Sequence, residues 1–465
     1  MSDKIKEFKE KIKNKKIAVL GIGISNTPLI KYLSGVDVNI TAFDKNDASR
    51  LEASLKELEG YNVKYCLGEE YLKGLKGFDI IFRTPGMRYD LPELAAERER
   101  GAEITSEMEV FFDLCPAQIF AVTGSDGKTT TTTLIYTMLK EEGYNCWLGG
   151  NIGMPLLSRV EDIKPADKVV LELSSFQLHT MKKSPNIAVV TNLSPNHLDV
   201  HKSMEEYVDA KCNIFRHQSK GDKLILNYDN ELTRNFAEKA KGDVIFFSRT
   251  GNIQEGCTVR NGMLVLQKGG KTTEAVKQDE IRIPGVHNIE NYLAAIAAVG
   301  EYVSPETIKK VAKTFSGVEH RIELVRELKG IKFYNSSIDS SPNRTNAALR
   351  VFNQKVILIA GGKDKGIPYD EIGEPIIEKV KLLILIGATA AKIEQAVKAA
   401  AQRIGKGADL PIIRCSTYEE VVNKAYENAS DGDIVILSPA STSFDMFRNF
   451  EERGNLYKKI VMNLK

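Results

Sequence analysis

The chain lacks any framework of paired cysteines. Its six cysteines stand at 66, 115, 146, 212, 257 and 415 with no C-x-x-C pair. That sets aside a disulfide scaffold or a zinc ribbon and fits free thiols in a reducing compartment. It also lacks an excess of charge: 64 Lys and Arg stand against 62 Asp and Glu, a net charge of +2, so no electrostatic footprint announces a nucleic-acid partner. No apolar run approaches the length of a membrane span. The lysine-rich start, residues 1–16, has no apolar centre and so does not read as a secretory signal. Ile5, Phe8 and Ile12 are spaced there for a short amphipathic helix packed on the first domain. Neither an internal repeat nor a low-complexity segment interrupts the rest. What remains is 465 residues, too many for one core, from which about three domains are expected. A soluble, monomeric, cytoplasmic protein acting on small molecules is the expectation.

What is present is concentrated at 121–130. The apolar run 118–122 leads into Thr123-Gly124-Ser125-Asp126-Gly127-Lys128-Thr129-Thr130, and a helical pattern follows over 131–139. A strand, a glycine-containing turn and a helix opening on Lys-Thr make a phosphate cradle. Backbone N–H groups and the positive end of the helix dipole face the anion, the lysine reaches the terminal phosphates, and the threonine hydroxyl can ligate Mg²⁺. Val122 stands where the general G-x-x-x-x-G-K-[ST] signature has glycine, so the loop is a shorter relative of it.

Around this loop the chain divides at 1–104, 105–318 and 319–465. Apolar strands alternate with helical patterns throughout: strands at 16–20, 38–43 and 79–82 in the first part; at 168–173, 187–192, 223–227 and 243–247 in the second, with a hairpin turning at Asn261-Gly262; and at 332–334, 355–360, 382–386, 412–415 and 433–437 in the third. Such alternation predicts mostly parallel sheets and an α/β fold in every part.

Other candidates lie at predicted strand ends. Gly21-Ile22-Gly23 with Asp44 about 20 residues on suggests the dinucleotide fingerprint, but Asn26 replaces the third glycine. Thr84-Pro85-Gly86-Met87, taken alone, is a Pro-Gly turn. Glu172 is either a Mg²⁺ carboxylate or an acid at a helix start. His197 and His201 lie four apart in a loop with no further ligand, which argues against zinc. Ser203 to Glu206 reads as a capping box, placing Lys211 about two turns into a helix, where a lysine is ordinarily a surface residue. Asn288 or Asn291 can read an adenine edge, and Asn288 alternatively caps the helix 287–300. Arg321 stands at a domain boundary, suited either to ATP phosphates or to an interface pair. Gly361 to Lys365 and Ser438 to Asp445 follow strands, with Lys365 and Ser443 suited to a dicarboxylic amino acid.

The T-G-x-x-G-K-T-T loop resembles that of Mur ligases and folylpolyglutamate synthases. The run 438–445, followed by Phe447-Arg448-Asn449-Phe450 and Arg453-Gly454, narrows the resemblance to the MurD family, over residues 21–454. That resemblance implies three domains: a Rossmann-like UDP-binding domain, a central P-loop-type ATPase domain and a Rossmann-like amino-acid domain. It implies ATP-dependent addition of D-glutamate to UDP-N-acetylmuramoyl-L-alanine through an acyl phosphate. It places the UDP-linked substrate at Ser25, Asn26, Thr27, Asp44, Lys45, Thr84, Pro85, Gly86 and Asn151. ATP falls at 124–130, Asn291 and Arg321, and two Mg²⁺ at Thr129, Glu172, His197 and Lys211, the lysine being carbamylated by CO₂. D-glutamate falls at Ser340, Lys365, Ser443, Phe444 and Phe450. One departure stands out: the acid expected near ATP is Ser336 here, and Asp339 is three residues further on. The alternatives weighed are another Mur or folate-type ligase and a non-catalytic nucleotide-binding regulator.

Overall fold

A computed structural model describes residues 3–23, 25–195, 200–251, 253–364 and 366–465. Three parallel-rich sheets form. The first holds β1 (Lys16–Leu20), β2 (Asn39–Asp44), β3 (Val63–Leu67), β4 (Ile80–Arg83) and β5 (Glu103–Thr105), all parallel, in the order β3-β2-β1-β4-β5. The second holds β6 (Gln118–Thr123), β7 (Cys146–Gly150), β8 (Lys168–Glu172), β9 (Ile187–Val190), β10 (Lys223–Asn227), β11 (Asp243–Ser248), β12 (Gly256–Arg260), β13 (Met263–Lys268) and β14 (Lys271–Lys277). Its order is β14-β13-β12-β11-β10-β9-β6-β8-β7, parallel except for the β12-β13-β14 meander. The third holds β15 (Glu323–Leu328), β16 (Ile331–Asn335), β17 (Val356–Ala360), β18 (Val380–Leu385), β19 (Ile412–Arg414) and β20 (Ile434–Leu437), in the order β15-β16-β20-β17-β18-β19 with β15 antiparallel.

The central strands β1, β6, β17 and β20 are almost wholly buried. That is why their apolar runs are continuous and legible. The strands not anticipated are β3, β5, β7, β14 and β15. They are edge or next-to-edge strands with polar or glycine-rich sequence, such as Lys271–Lys277 and Glu323–Leu328, so their pattern carries little apolar signal.

The chain packs as two compact units. One comprises Met1–Glu280 with Ile289–Val311, the other Ile281–Asn288 with Ala312–Lys465. In the first unit one buried cluster runs from Ile5 and Ile12, through Phe82 and Phe111, to Val190 and Phe215, and a smaller one gathers Leu20, Phe43, Ile81 and Leu94. Ile5 and Ile12 belong to the anticipated amino-terminal helix, Asp3–Ile12, whose Phe8 is half-buried against the larger cluster.

Candidate active site

β6 is flanked by β8 and β9, and the chain crosses from one side of β6 to the other between them. This is the switch point where open α/β sheets bind ligands at the carboxyl ends of their strands. Helix Lys128–Glu141 starts there, directly after Gly127 in left-handed conformation (φ 75°). A Cβ on Gly127 would lie 2.3 Å from Asn291 Oδ1, and one on Gly124 (φ 152°) would lie 1.9 Å from Thr191 Oγ1. Both glycines are therefore required by close approach as well as by φ. Asn192 Oδ1 accepts from the Asp126 N–H at 2.9 Å, and Thr191 Oγ1 donates to Asp126 O at 2.6 Å, holding the turn open. Lys128 Nζ donates to Gly124 O (3.0 Å) and Ser125 O (2.9 Å), so it lies over its own loop. Thr129 and Thr130 occupy the first turn of the same helix.

Glu172 ends β8 beside this loop and is 2% exposed. It lies ahead of the cap Ser174 of the short helix Ser175–Leu178, so it is not an acid of that helix's first turn. Its Oε1 accepts from Asn151 Nδ2 at 2.7 Å, while the buried Oε2 has no hydrogen-bond partner among the described residues. A buried carboxylate oxygen left without a donor is costly unless a cation meets it. The donor set at this point thus fits Mg²⁺.

Lys211 is not a surface residue. It is 2% exposed in helix Met204–Arg216, with Nζ donating to Thr123 Oγ1 (3.1 Å) and Gly124 O (2.9 Å) and lying 4.8 Å from the centre of the Tyr207 ring. Burial, and after it the charge of Lys128, pushes its ammonium well below the usual lysine range, against the pull of Glu172 and Asp126. Only the neutral amine reacts with CO₂, and burial favours that form. His197 lies outside the described residues. His201 is buried against Ser175 Oγ and stacks on Phe176.

The capping box predicted at Ser203 forms only by half. Ser203 Oγ accepts from the Glu206 N–H, but the Glu206 carboxylate turns away to the Lys202 N–H and to Arg88. Asn288 is not a cap either: helix Val286–Val299 begins before it, and its amide donates back to Pro284 O at 2.5 Å. Asn291, by contrast, accepts from Thr131 Oγ1 at 3.2 Å and faces the phosphate loop.

In the first sheet, the Gly21 turn, Asp44 and Thr84 meet at the carboxyl ends of β1, β2 and β4. A Cβ on Gly21 would lie 3.3 Å from Thr84 Cβ. Asn26 replaces the third fingerprint glycine with a brace, its amide donating to Leu20 O and Gly21 O, both at 3.0 Å. Thr27 is buried beside it and Ser25 is half-buried. Asp44 accepts from the N–H groups of Ile22 and Asn46, each at 2.8 Å, and Lys45 is exposed. Pro85 and Gly86 line a cavity with Tyr89, Phe176, His179 and His201.

In the second unit, Arg321 sits between two residues in left-handed conformation, His320 (φ 61°) and Ile322 (φ 46°). Ser443 is buried after β20, Phe444 is exposed, and Phe450 opens helix Phe450–Asn463 with its ring edge-on to His320. Ser340 is half-buried. Lys365 lies outside the described residues. A turn from Ser336 O to Asp339 N–H (3.0 Å) folds the three-residue displacement back on itself. Asp339 is buried, with Oδ2 accepting from Ser438 Oγ at 2.8 Å. Burial pushes its carboxyl from the ordinary 3.8 up to about 6, against the hydrogen bonds of Ser336 and Ser438 and the charges of Arg321 and Arg344.

Because that folded value is raised, Asp339 favours the fold fully below its ordinary value, and the contribution, about 3 kcal/mol, fades as pH climbs through about 6. Asp339→Asn is therefore expected to flatten the fall in thermal stability between about pH 4 and about pH 6. Identical pH slopes in the two proteins would show that this carboxyl is not linked to folding.

Residues that sequence reasoning missed are those whose role is relational. Asn192 and Tyr207, whose hydroxyl lies 2.9 Å from Ser125 Oγ, brace the phosphate loop from other elements. Only the position of Asn192 at a strand end could have signalled it.

A phosphate cradle at a sheet switch point, a buried carboxylate with an open oxygen and a buried lysine define a nucleotide-dependent α/β enzyme. Family models bear on which one: a Mur ligase MurD-like N-terminal domain matches residues 15–106, a Mur ligase middle domain 122–299, and a Mur ligase glutamate ligase domain 320–441. The chain belongs to the Mur ligase family. It is 65% identical over 464 residues to a UDP-N-acetylmuramoylalanine–D-glutamate ligase of Acetivibrio thermocellus, and 62% identical over 465 residues to one of Ruminiclostridium cellulolyticum, covering 100% of each chain. In fold it is similar to the crystal structure of UDP-N-acetylmuramate-alanine ligase from Thermotoga maritima, with a TM-score of 0.58 and 19% identity over 97% of this chain and 100% of that one.

Proposed function

We propose that this chain joins D-glutamate to UDP-N-acetylmuramoyl-L-alanine at the expense of ATP, a step of peptidoglycan precursor synthesis, acting as a cytoplasmic monomer. The observation that carries this reading is the end-to-end identity with ligases of that name, on a chain whose phosphate loop, Glu172 and Lys211 converge at one switch point. No helix among the described residues is long and apolar enough to cross a membrane. Residues 1–104 take the UDP-linked substrate, 105–318 take ATP, and 319–465 take the amino acid.

The alanyl carboxylate oxygen attacks the γ-phosphorus of ATP, and the bond to the β-γ bridging oxygen breaks, releasing ADP. The D-glutamate amine then attacks the acyl carbon of the resulting acyl phosphate. Inorganic phosphate leaves and the amine loses a proton as the amide forms. Lys128 neutralises charge on the transferring phosphoryl group. Thr129, Glu172, His197 and carbamylated Lys211 are the residues that would hold two Mg²⁺, whose chemistry is to screen the phosphate oxygens. Asn151 orients Glu172, and Asn291 and Arg321 complete the ATP site. Ser25 to Thr27, Asp44, Lys45 and 84–86 hold the UDP moiety. Asp339, folded back beside Ser336, supplies the acid that the displaced motif otherwise lacks, which disfavours a non-catalytic regulator.

The direct test is ADP release with UDP-N-acetylmuramoyl-L-alanine, with and without D-glutamate. Release that does not respond to D-glutamate, or responds better to L-alanine or to a folate, would overturn the reading. Ser340, Lys365, Ser443, Phe444 and Phe450 are assigned to D-glutamate. Lys365→Ala and Ser443→Ala are accordingly expected to raise KM for D-glutamate about tenfold or more while leaving KM for ATP within about twofold. Steady-state kinetics varying each substrate in turn measures this, and equal shifts in both constants would place these loops elsewhere.

A further inference from the structure

Two residues beyond Gly86, the chain makes a set of contacts that the chemistry above does not use. Arg88 spreads its guanidinium over two elements. Nε and Nη2 donate to the two carboxylate oxygens of Asp90 at 2.7 and 2.9 Å. Nη2 also donates to Glu206 Oε1 at 2.9 Å, and Nη1 to Val200 O at 2.8 Å. Lys202 Nζ closes the group on Asp90 at 2.7 Å. Asp90 follows β4 of the first sheet, whereas Val200, Lys202 and Glu206 lie at the amino end of the helix that carries Lys211. Two cations and two carboxylates are thus balanced across the joint between two sheets, with Arg88 and Glu206 each about a quarter exposed or less. The pairing holds Glu206 down to about 2 and Asp90 well below the usual carboxylate range, in each case chiefly through Arg88.

A second line of contact starts at the next residue. The Tyr89 ring lies edge-on to His179 with centroids 4.5 Å apart, His179 lies 5.6 Å from His201, and His201 lies edge-on to Tyr207 at 5.4 Å. The Tyr207 hydroxyl then meets Ser125 of the phosphate loop. Tyr207 is also the ring beneath Lys211. The segment that follows the loop 84–87 is therefore joined to the helix beside the phosphate loop twice, once by charge and once by a line of edge-on and tilted rings.

We propose that Arg88 is a positioning residue that couples the loop 84–87 to the phosphate loop by locking the amino end of helix Met204–Arg216. The proposal rests on the reading that this loop receives the UDP-linked substrate and that Lys211 serves the phosphoryl transfer. Only the planar fork of arginine spans Asp90, Glu206 and the Val200 carbonyl together; a lysine ammonium, a compact point charge, cannot hold all three. Occupancy of the loop thereby orders the helix start, and with it Tyr207 and Lys211.

The test uses the full chain and its own substrates. ADP release by the parent is measured first, and its absence would sink the assigned reaction rather than the coupling. With an active parent, Arg88→Met is expected to lower kcat about tenfold or more while KM for D-glutamate stays within about twofold. Arg88→Lys is expected to fall between the two. Glu206→Gln should reproduce the loss, and the double variant should be no worse than the worse single variant, since both remove one interaction. Independently of turnover, hydrogen exchange over 204–208 should slow when UDP-N-acetylmuramoyl-L-alanine binds the parent, and should not respond in Arg88→Met. A kcat within about twofold of the parent, additive losses in the double variant, or an exchange response that survives the substitution would each overturn the coupling. Should Arg88→Met fail to fold, Glu206→Gln carries both readouts alone.

Discussion

Lys128→Ala is expected to reduce ADP formation about 10³-fold while leaving the thermal unfolding of the chain close to that of the parent. The side chain crosses its own loop to reach Gly124 O and Ser125 O, two carbonyls of a turn already braced by Asn192 and Thr191. Removing it leaves those braces and the glycine contacts intact, so the fold has little reason to change. What disappears is the one cation supplied by the loop itself to a group that gathers negative charge as it transfers. These carbonyl contacts are easily exchanged for one to phosphate, because the lysine stem is flexible and its ammonium strongly hydrated. The measurement is single-turnover ADP release at saturating ATP beside a melting curve. Turnover within a few-fold of the parent would remove the phosphate-cradle assignment.

Lys211 tests a different term. Lys211→Met is expected to keep the helix packed and the chain folded but to lose activity on the order of 10²-fold or more, because the proposed carbamate would take one anionic ligand with it from a site for two cations. Lys211→Arg should fail as well. A guanidinium stays charged at this 2% exposed position, cannot form a carbamate, and does not fit the space of an amine seated between Thr123 Oγ1 and Gly124 O. In Lys211→Ala, a short carboxylic acid added to the assay should restore part of the rate by standing in for the missing oxygen ligand. Labelled CO₂ should give a carbamate resonance in the parent and none in the variants. Full activity in Lys211→Arg would make the lysine a packing residue and leave the second cation to other groups.

Much of the site was legible because its chemistry is local. The segment 121–130 carries the end of its strand, its two left-handed or closely approached glycines and its helix start in ten consecutive residues. Glu172 could be named from its strand-end position, but Asn291 only through the family resemblance, since a helix-start position leaves Asn288 equally open. Lys211 could be named only through the family motif, since nothing in a helical lysine announces burial; its surroundings come from β6 and from Tyr207. The half-formed capping box at Ser203 shows the limit of local reasoning. Ser203 and Glu206 have the right spacing, but an arginine more than a hundred residues earlier draws the carboxylate towards itself, where it meets the Lys202 N–H in place of that of Ser203.

The surroundings of Asp339 are set in the same way. Counting residues puts Asp339 three places from Ser336, and only the structure shows the turn that brings its N–H to Ser336 O and the burial of its carboxylate against Ser438. By itself the amino-acid sequence determined the α/β class, the buried strands at the heart of each sheet, the phosphate loop and the family, because each is written in consecutive residues or in one period of apolar spacing. The tertiary structure alone decided which groups meet: Asn151 on Glu172, Tyr207 on Ser125, Arg88 across two sheets, and an open carboxylate oxygen beside a buried lysine. Those contacts join segments tens to more than a hundred residues apart, and no spacing in the chain encodes a distance that only the stacking of sheets and helices creates.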